Sequence, residues 1–294
     1  MIILIILFIN YIKIFGNNLI PNIIHYAWFS ENPKSDIVKR CISSWKKYSP
    51  NWLIIQWTAE TILPFDNKFI EEAFKLQKYA FVADYIRVYA LYNYGGVYLD
   101  SDVELKKSLT PFLNHSFFIS QTRGKWLHVA PDCYGAMKGH PLLKEMLDFY
   151  RNHHFKDSNG KLDETWVGIR FSQMIKKLYN IEFHNKINSP VLLPNNGSIY
   201  PTYYFELEKY GKINFATHYC TGSWAGKKYQ LEKYLANCYD SCRNKTKIIE
   251  NKIDGLKYDF TIQIELYSLF LILFCDIILK ISNIRFNKMR KKKY

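Results

Sequence analysis

What this chain has little of narrows its function before any motif is read. Six cysteines are scattered over 294 residues, and no two are spaced as Cys-x-x-Cys. Cys238 and Cys242 could share a helical face, but no Cys/His pairing elsewhere completes a zinc set. The reading is buried, reduced thiols. The N-terminal apolar run, Met1 to Ile9, is nine residues long, well short of the ~20 that span a bilayer. It lacks a basic lead-in and a clear small-residue cleavage site, so it reads as a weak anchor at most. No internal repeat is present. No stripe of basic and aromatic residues runs through the body, which sets nucleic acid aside as a partner. Acid is missing from the last ten residues, Arg285 to Tyr294, which hold six Lys or Arg.

What is present is the material for a core. Hydrophobic residues make up 48% of the chain and aromatics 17%, enough for one large globular domain. Ile23 to Phe29 reads as a buried strand with Trp28 at its carboxyl end. Ser35 to Tyr48 reads as an amphipathic helix, Trp52 to Trp57 as a strand and Phe69 to Gln77 as a helix. That βαβα order predicts an α/β fold with a largely parallel, helix-covered sheet. Further on, Phe117 to Ser120 and Cys133 to Met137 read as strands and Pro190 to Pro201 as turn-rich. His140 is read as the residue that opens a helix over Leu142 to Arg151.

The chain is organised around Lys78 to Asp102. Phe81, Tyr85, Val88, Tyr89 and Tyr92 recur at helical steps, and Gly95 and Gly96 offer a positive-φ stop. Val97-Tyr-Leu99 is a short β-prone run, which Val103-Glu-Leu105 is expected to extend. Asp100 and Asp102 therefore leave the sheet at the edge where open α/β sheets bind ligands. Side chains two apart on extended backbone share a face, and two carboxylates there repel unless a cation lies beside them. Mg²⁺ or Mn²⁺ suits such oxygens; on three letters alone, an aspartate-rich turn explains the pattern as well. Asp84 and Arg87, three apart on the helix, lie on one face. Trp28, at the same sheet edge, has an indole fit either to stack on a flat base or to fill the core.

Tyr79-Ala-Phe-Val-Ala-Asp-Tyr-Ile-Arg87 and Tyr94-Gly-Gly-Val-Tyr-Leu-Asp-Ser-Asp102 together resemble the DXD sugar-binding region of glycosyltransferase family 32. That family includes capsular-polysaccharide synthesis enzymes and initiating mannosyltransferases. Ile20-Pro-Asn-Ile-Ile-His-Tyr-Ala-Trp28, Cys41-Ile-Ser-Ser-Trp45 and His218-Tyr-Cys-Thr-Gly-Ser-Trp224 extend the resemblance over residues 20–224. It implies a GT-A-type, three-layer α/β/α nucleotide-sugar-binding domain over residues 20–245, with a mixed, mostly parallel sheet. It also implies metal-dependent, retaining transfer of a hexose from a UDP- or GDP-sugar to a glycan or glycolipid. Asp102 would bind Mn²⁺ or Mg²⁺ directly, Asp100 the metal's water or the donor's ribose, and His218 would complete the metal shell. Arg87 would face the diphosphate, Asp84 the sugar hydroxyls and Trp28 the base, and Trp224 would be a lid or face the sugar. No covalent nucleophile stands out. Two rivals remain: a catalytically silent nucleotide-sugar- or carbohydrate-binding protein on the same fold, and a metal-dependent phosphohydrolase. The second would want a further carboxylate cluster for two metals, and none is visible in the sequence.

Residues 246–294 form a separate segment in this reading. Phe260 to Ile284 carries apolar runs broken by Glu265, Asp276 and Lys280, which suits an interfacial helix better than a span. With the basic cluster that follows, the expectation is peripheral association with an anionic membrane surface; a solvated basic tail is the alternative. Cytoplasmic face and Golgi lumen are equally compatible with it.

Overall fold

A computed structural model of the chain describes residues 18–62, 67–123, 127–206 and 213–221. The expectations for the N-terminal run, Trp224, the boundary at residue 245 and the segment 260–294 lie outside those residues. Among the described residues, no helix is long and apolar enough to cross a membrane.

One seven-stranded sheet carries the fold. Its order is β2 (Leu53–Trp57), β1 (Ile23–Ala27), β3 (Gly96–Leu99), β6 (Val129–Ala136), β5 (Phe117–Gln121), β8 (Gly197–Tyr200) and β7 (Val191–Leu193). β1 pairs in parallel with β2 and β3, and β5 with β8. β6 runs against β3 and β5, and β7 against β8. Five strands thus point one way and two the other, the mixed and mostly parallel sheet that the sequence predicts.

Alternation along the strands makes two apolar layers. In β3, Val97 and Leu99 enter one and Tyr98 the other. The Tyr98 layer is closed by α3 (Lys68–Lys75), α4 (Tyr79–Tyr94), α5 (Pro141–Arg151) and α6 (Val167–Tyr179), whose Ile70, Leu91, Met146 and Phe171 pack there. A short α2 (Ala59–Ile62) adds Ile62. The Val97 layer is closed by α1 (Asp36–Tyr48) and by a two-stranded sheet of β4 (Val103–Leu105) and β9 (Ala216–His218). In α1, Val38, Cys41 and Trp45 follow helical spacing and are buried. Asp36 in its first turn and Lys46 and Lys47 in its last complement the helix dipole. Trp45 donates Nε1–H to the Val103 carbonyl at 2.8 Å and so ties α1 to β4.

The turn from α4 into β3 needs glycine twice. Gly95 and Gly96 have φ of +68° and +111°. A Cβ on Gly95 would lie 2.8 Å from Pro21 Cδ, and one on Gly96 2.7 Å from the Ile23 carbonyl oxygen. His25 locks this corner from the sheet side. It is fully buried, its Nδ1 accepts from Trp57 Nε1–H at 3.2 Å, and its Nε2–H donates to the Gly95 carbonyl at 2.9 Å.

Burial lowers the His25 pKa to about 4 against the Gly95 bond that favours the charged form. The fold therefore prefers the neutral ring. That contribution is complete above the unfolded value of 6.5 and is lost as pH falls through about 4. The full loss is roughly 3 kcal/mol. Urea unfolding at pH 7.5 and pH 4.5 measures it. His25→Gln keeps a donor and an acceptor, and the expected result is a smaller drop in stability on acidification than the wild type shows. Equal drops would mean that His25 is not held neutral.

Two expectations are corrected here. Val103-Glu-Leu105 does not extend β3, because the backbone turns at Asp100 to Asp102, with Val103 N–H bonding the Asp100 carbonyl at 2.9 Å. It starts the second sheet instead. Pro190 to Pro201 is more than turn: β7 and β8 form a hairpin there, reversed by Asn195 and Asn196 at φ of +57° and +64°. Asn is among the residues that enter this region most readily.

Candidate active site

β1 and β3 are parallel neighbours, so Trp28 and Asp100 leave the sheet along one edge. From α4, Asp84 and Arg87 reach the same edge. Arg87 Nη2 lies 3.0 Å from Asp84 Oδ1 and 3.2 Å from Asp100 Oδ1, and both side chains of the helical pair are under a tenth exposed. This is a buried bridge rather than a surface ion pair. Arg87 Nη1 donates to the Pro131 carbonyl at 2.6 Å, and its guanidinium stacks 4.8 Å from the Tyr98 ring centre. Burial lifts the Asp84 carboxyl to about 7 despite Arg87, with Asp100 adding to the rise. Asp100 is pushed up by burial and pulled back by Arg87.

Asp102 serves a different set of partners. Pairing of Val103 with His218 in the β4–β9 ladder brings His218 beside it. Asp102 Oδ1 lies 3.2 Å from His218 Nε2, while Oδ2 accepts from the Thr221 N–H at 2.6 Å and the Thr221 hydroxyl at 2.9 Å. Burial works to raise this carboxyl, but His218 and Thr221 hold it well below the usual carboxylate range. The two aspartates occupy a turn and engage separate partners. The shared extended face expected from their spacing is therefore not formed.

Two residues that the sequence reading missed complete the site. Asp132 belongs to β6, where its carbonyl accepts from Asp100 N–H at 2.8 Å. The β5–β6 register shifts between Phe118 and Ser120. The bulge falls in the part of β6 that holds Pro131 and Asp132, and bulges re-aim side chains beside functional sites. Glu206 follows the single helical turn Thr202–Tyr204, and its carbonyl accepts from His218 N–H at 3.0 Å. His218 Nδ1 contacts Asp132 Oδ2 closely and lies 3.7 Å from Glu206 Oε1. Arg123 donates Nε–H to Glu206 Oε2 at 3.0 Å, and its Nη2 reaches the Glu206 and His218 carbonyls. Burial works to lower His218, but Asp132 and Asp102 hold it well above its ordinary value. Burial and the facing Glu206 push Asp132 well up, while Glu206 stays ionised beside Asp132, His218 and Arg123.

The donor set suits a divalent cation. Asp132, Glu206 and His218 each offer one ligand atom, all within 4.8 Å of one another. Asp132 Oδ1 and Glu206 Oε1 are buried and have no hydrogen-bond partner among the described residues. Carboxylate oxygens and one imidazole are acceptable to Mn²⁺.

Trp28 is half-buried at the carboxyl end of β1, with Lys34 Nζ 5.4 Å from its ring centre. Lys34 is held in turn by Gln56 Oε1 at 3.0 Å. His140 opens α5 as expected: its carbonyl accepts from Leu143 and Lys144 N–H, and its ring stacks on Phe117 with centres 5.1 Å apart. Cys41, Cys133 and Cys220 are free thiols, and the other cysteines lie outside the described residues.

Residues 35–119 match the glycosyltransferase sugar-binding region containing the DXD motif. Over that stretch the chain is similar to the family, as the resemblance read from the sequence implies. The matched region runs from α1 through β5 and so contains Asp84, Arg87, Asp100 and Asp102. Inositol phosphoceramide mannosyltransferase 1 of Schizosaccharomyces pombe is 32% identical over 142 residues, 44% of this chain and 42% of that protein. Mannosyl phosphorylinositol ceramide synthase SUR1 of Saccharomyces cerevisiae is 29% identical over 244 residues, 76% of this chain and 56% of that protein. The chain thus spans about half the length of these relatives. Among solved structures, the PaToxG glycosyltransferase covers 60% of this chain and 76% of its own at 16% identity, with a TM-score of 0.43. That score is too low to carry weight, and the fold rests on the sheet described above.

Proposed function

We propose that the chain is a metal-dependent, retaining hexosyltransferase that takes its sugar from a UDP- or GDP-linked donor and gives it to a glycan or glycolipid hydroxyl. The observation that carries this reading is the convergence of Asp84–Arg87–Asp100 and Asp102–His218 at one sheet edge, inside and beside the family region. Arg87 presents a fixed, desolvated cation to the donor's diphosphate, where charge grows as the anomeric C–O bond breaks. Asp84 would hold sugar hydroxyls. The acceptor oxygen bonds to the anomeric carbon on the face the diphosphate leaves, and its proton departs on the diphosphate. Asp102, with His218, would hold the cation, and Asp100 its water or the ribose. When bound, that cation adds Lewis-acid stabilisation of the leaving diphosphate. The relatives' names make mannose the first sugar to test and an inositol-phosphate-bearing ceramide the first acceptor.

The phosphohydrolase rival regains one argument, because the folded chain does gather further carboxylates in Asp132 and Glu206. Arg87 weighs against it: its guanidinium already bridges Asp84 and Asp100, which leaves ligands for a single cation. Incubation with a panel of nucleotide sugars and Mn²⁺ separates the readings. A transferase releases free hexose slowly from one donor, a silent binder releases nothing, and a hydrolase releases phosphate or a sugar phosphate.

Stacking on the base by Trp28 should be similar in ground and transition states. The expected result for Trp28→Ala is a KM for donor raised about tenfold with kcat nearly unchanged. A large fall in kcat at constant KM would move Trp28 to the chemistry.

The tail, outside the described residues, is proposed to dock the enzyme on anionic lipid near its acceptor. The apolar runs of residues 260–284 plus the basic cluster after them give the two signals that stable anchoring needs. Deleting residues 285–294 should weaken binding to anionic liposomes, as should ~1 M salt, where the screening length falls to ~3 Å. Equal binding to neutral and anionic liposomes would remove the electrostatic half of this idea.

A further inference from the structure

The DXD pair alone is a poor cation site in this chain. Asp100 is committed to Arg87 at 3.2 Å, and both oxygens of Asp102 already have partners in His218 and Thr221. The uncommitted buried oxygens are elsewhere, on Asp132 and Glu206, which are 5% and 2% exposed. Both atoms are acceptors. Two buried acceptors beside a third ligand are satisfied only by a proton or a cation between them. His218 joins this cluster to Asp102, since Nδ1 faces Asp132 and Glu206 while Nε2 faces Asp102.

The surroundings look built for such an ion. Arg123 bonds Glu206 Oε2 and the carbonyls of Glu206 and His218, so it fixes two ligands without contacting the free oxygens. The Asp100 N–H bond to the Asp132 carbonyl holds the third in β6. Outer partners of this kind orient metal ligands. Once Asp132 gives up its proton to a cation, Asp102, Asp132 and Glu206 bring three negative charges. Arg123 offsets one, and Lys186, bonded to the Thr122 carbonyl, lies near enough to Glu206 to offset part of another.

We propose that the cation is held by Asp132, Glu206 and His218 next to Asp102, and that Arg87 keeps Asp100 out of the metal shell. The proposal rests on the metal-dependent reading above and assigns it two ligands that the motif does not contain. Carboxylate oxygens with an imidazole nitrogen favour Mn²⁺ over Mg²⁺. On this assignment the DXD turn contributes one aspartate to the metal's edge and gives the other to the arginine.

The test is Mn²⁺ titration of the full chain without donor, followed by calorimetry and by loss of the free Mn²⁺ resonance signal. Asp132→Asn and Glu206→Gln are each expected to weaken Mn²⁺ binding at least tenfold, and Asp100→Asn less than threefold. Wild-type affinity in both cluster variants, with loss in Asp102→Asn, would overturn the assignment and leave the transferase reading intact. Absence of Mn²⁺ binding by the wild type, with or without a nucleoside diphosphate, would overturn both. Should the variants not fold, Mn²⁺ anomalous scattering from crystals of the wild type decides. A peak among Asp132, Glu206 and His218 supports the site, and a peak between Asp100 and Asp102, away from Glu206, refutes it.

Discussion

Replacing Asp102 by asparagine is expected to lower transfer by on the order of 10³-fold while the protein stays folded. The magnitude is that of losing one preorganised charge at a developing oxyanion. Asparagine can still accept from the Thr221 N–H and hydroxyl, which now bond Asp102 at 2.6 and 2.9 Å, so the turn need not collapse. What goes is the negative charge beside His218 and the cation. Steady-state kinetics at saturating Mn²⁺, with circular dichroism to check the fold, measures this. Near-normal turnover in Asp102→Asn would mean that the DXD turn is only structural.

Arg87 is expected to matter for both stability and chemistry, and two substitutions separate these roles. Arg87→Met leaves Asp84 and Asp100 facing each other with no cation between them. Breaking a buried pair in this way costs about 3–5 kcal/mol. Burial lifts Asp84 to about 7 even with the arginine present, so removing the cation drives it further towards the protonated form. Chemical denaturation should show the loss, and the loss should shrink as pH is lowered. Arg87→Lys keeps the charge but not the fork that spans Asp84, Asp100 and the Pro131 carbonyl. Its expected signature is a modest stability loss with kcat/KM down by on the order of 10²-fold. Full activity in Arg87→Lys would reduce Arg87 to a structural tie.

The part of this site that could be read from sequence is the part built by neighbours in the chain. A helix, two glycines, a four-residue strand and two aspartates lie within 25 residues, and each element follows from local rules. Asp84 and Arg87 share a helix face by spacing alone. His218 could be found only through the resemblance of its surrounding stretch, since no local rule separates it from a core histidine. Asp132 and Glu206 carried no such signal. Pro131 makes its neighbourhood look like loop, because proline in a sheet is confined to edges and bulges, and here it sits where the β5–β6 register shifts. Glu206 meets His218 through a backbone bond across twelve residues, a pairing set by tertiary packing. The misreading of Val103 has the same origin: a turn at Asp100 to Asp102 is invisible while the residues on both sides are β-prone.

The most direct measurement is donor consumption by the full chain stripped of metal and then resupplied. Given a panel of UDP- and GDP-linked hexoses, the stripped chain should leave every donor intact. Added Mn²⁺ should restore slow release of hexose from one of them, and the Asp102→Asn chain should not respond to it. Release of phosphate in place of hexose, or no consumption of any nucleotide sugar with any divalent ion, would contradict the assignment of this sheet edge as the donor site of a glycosyltransferase.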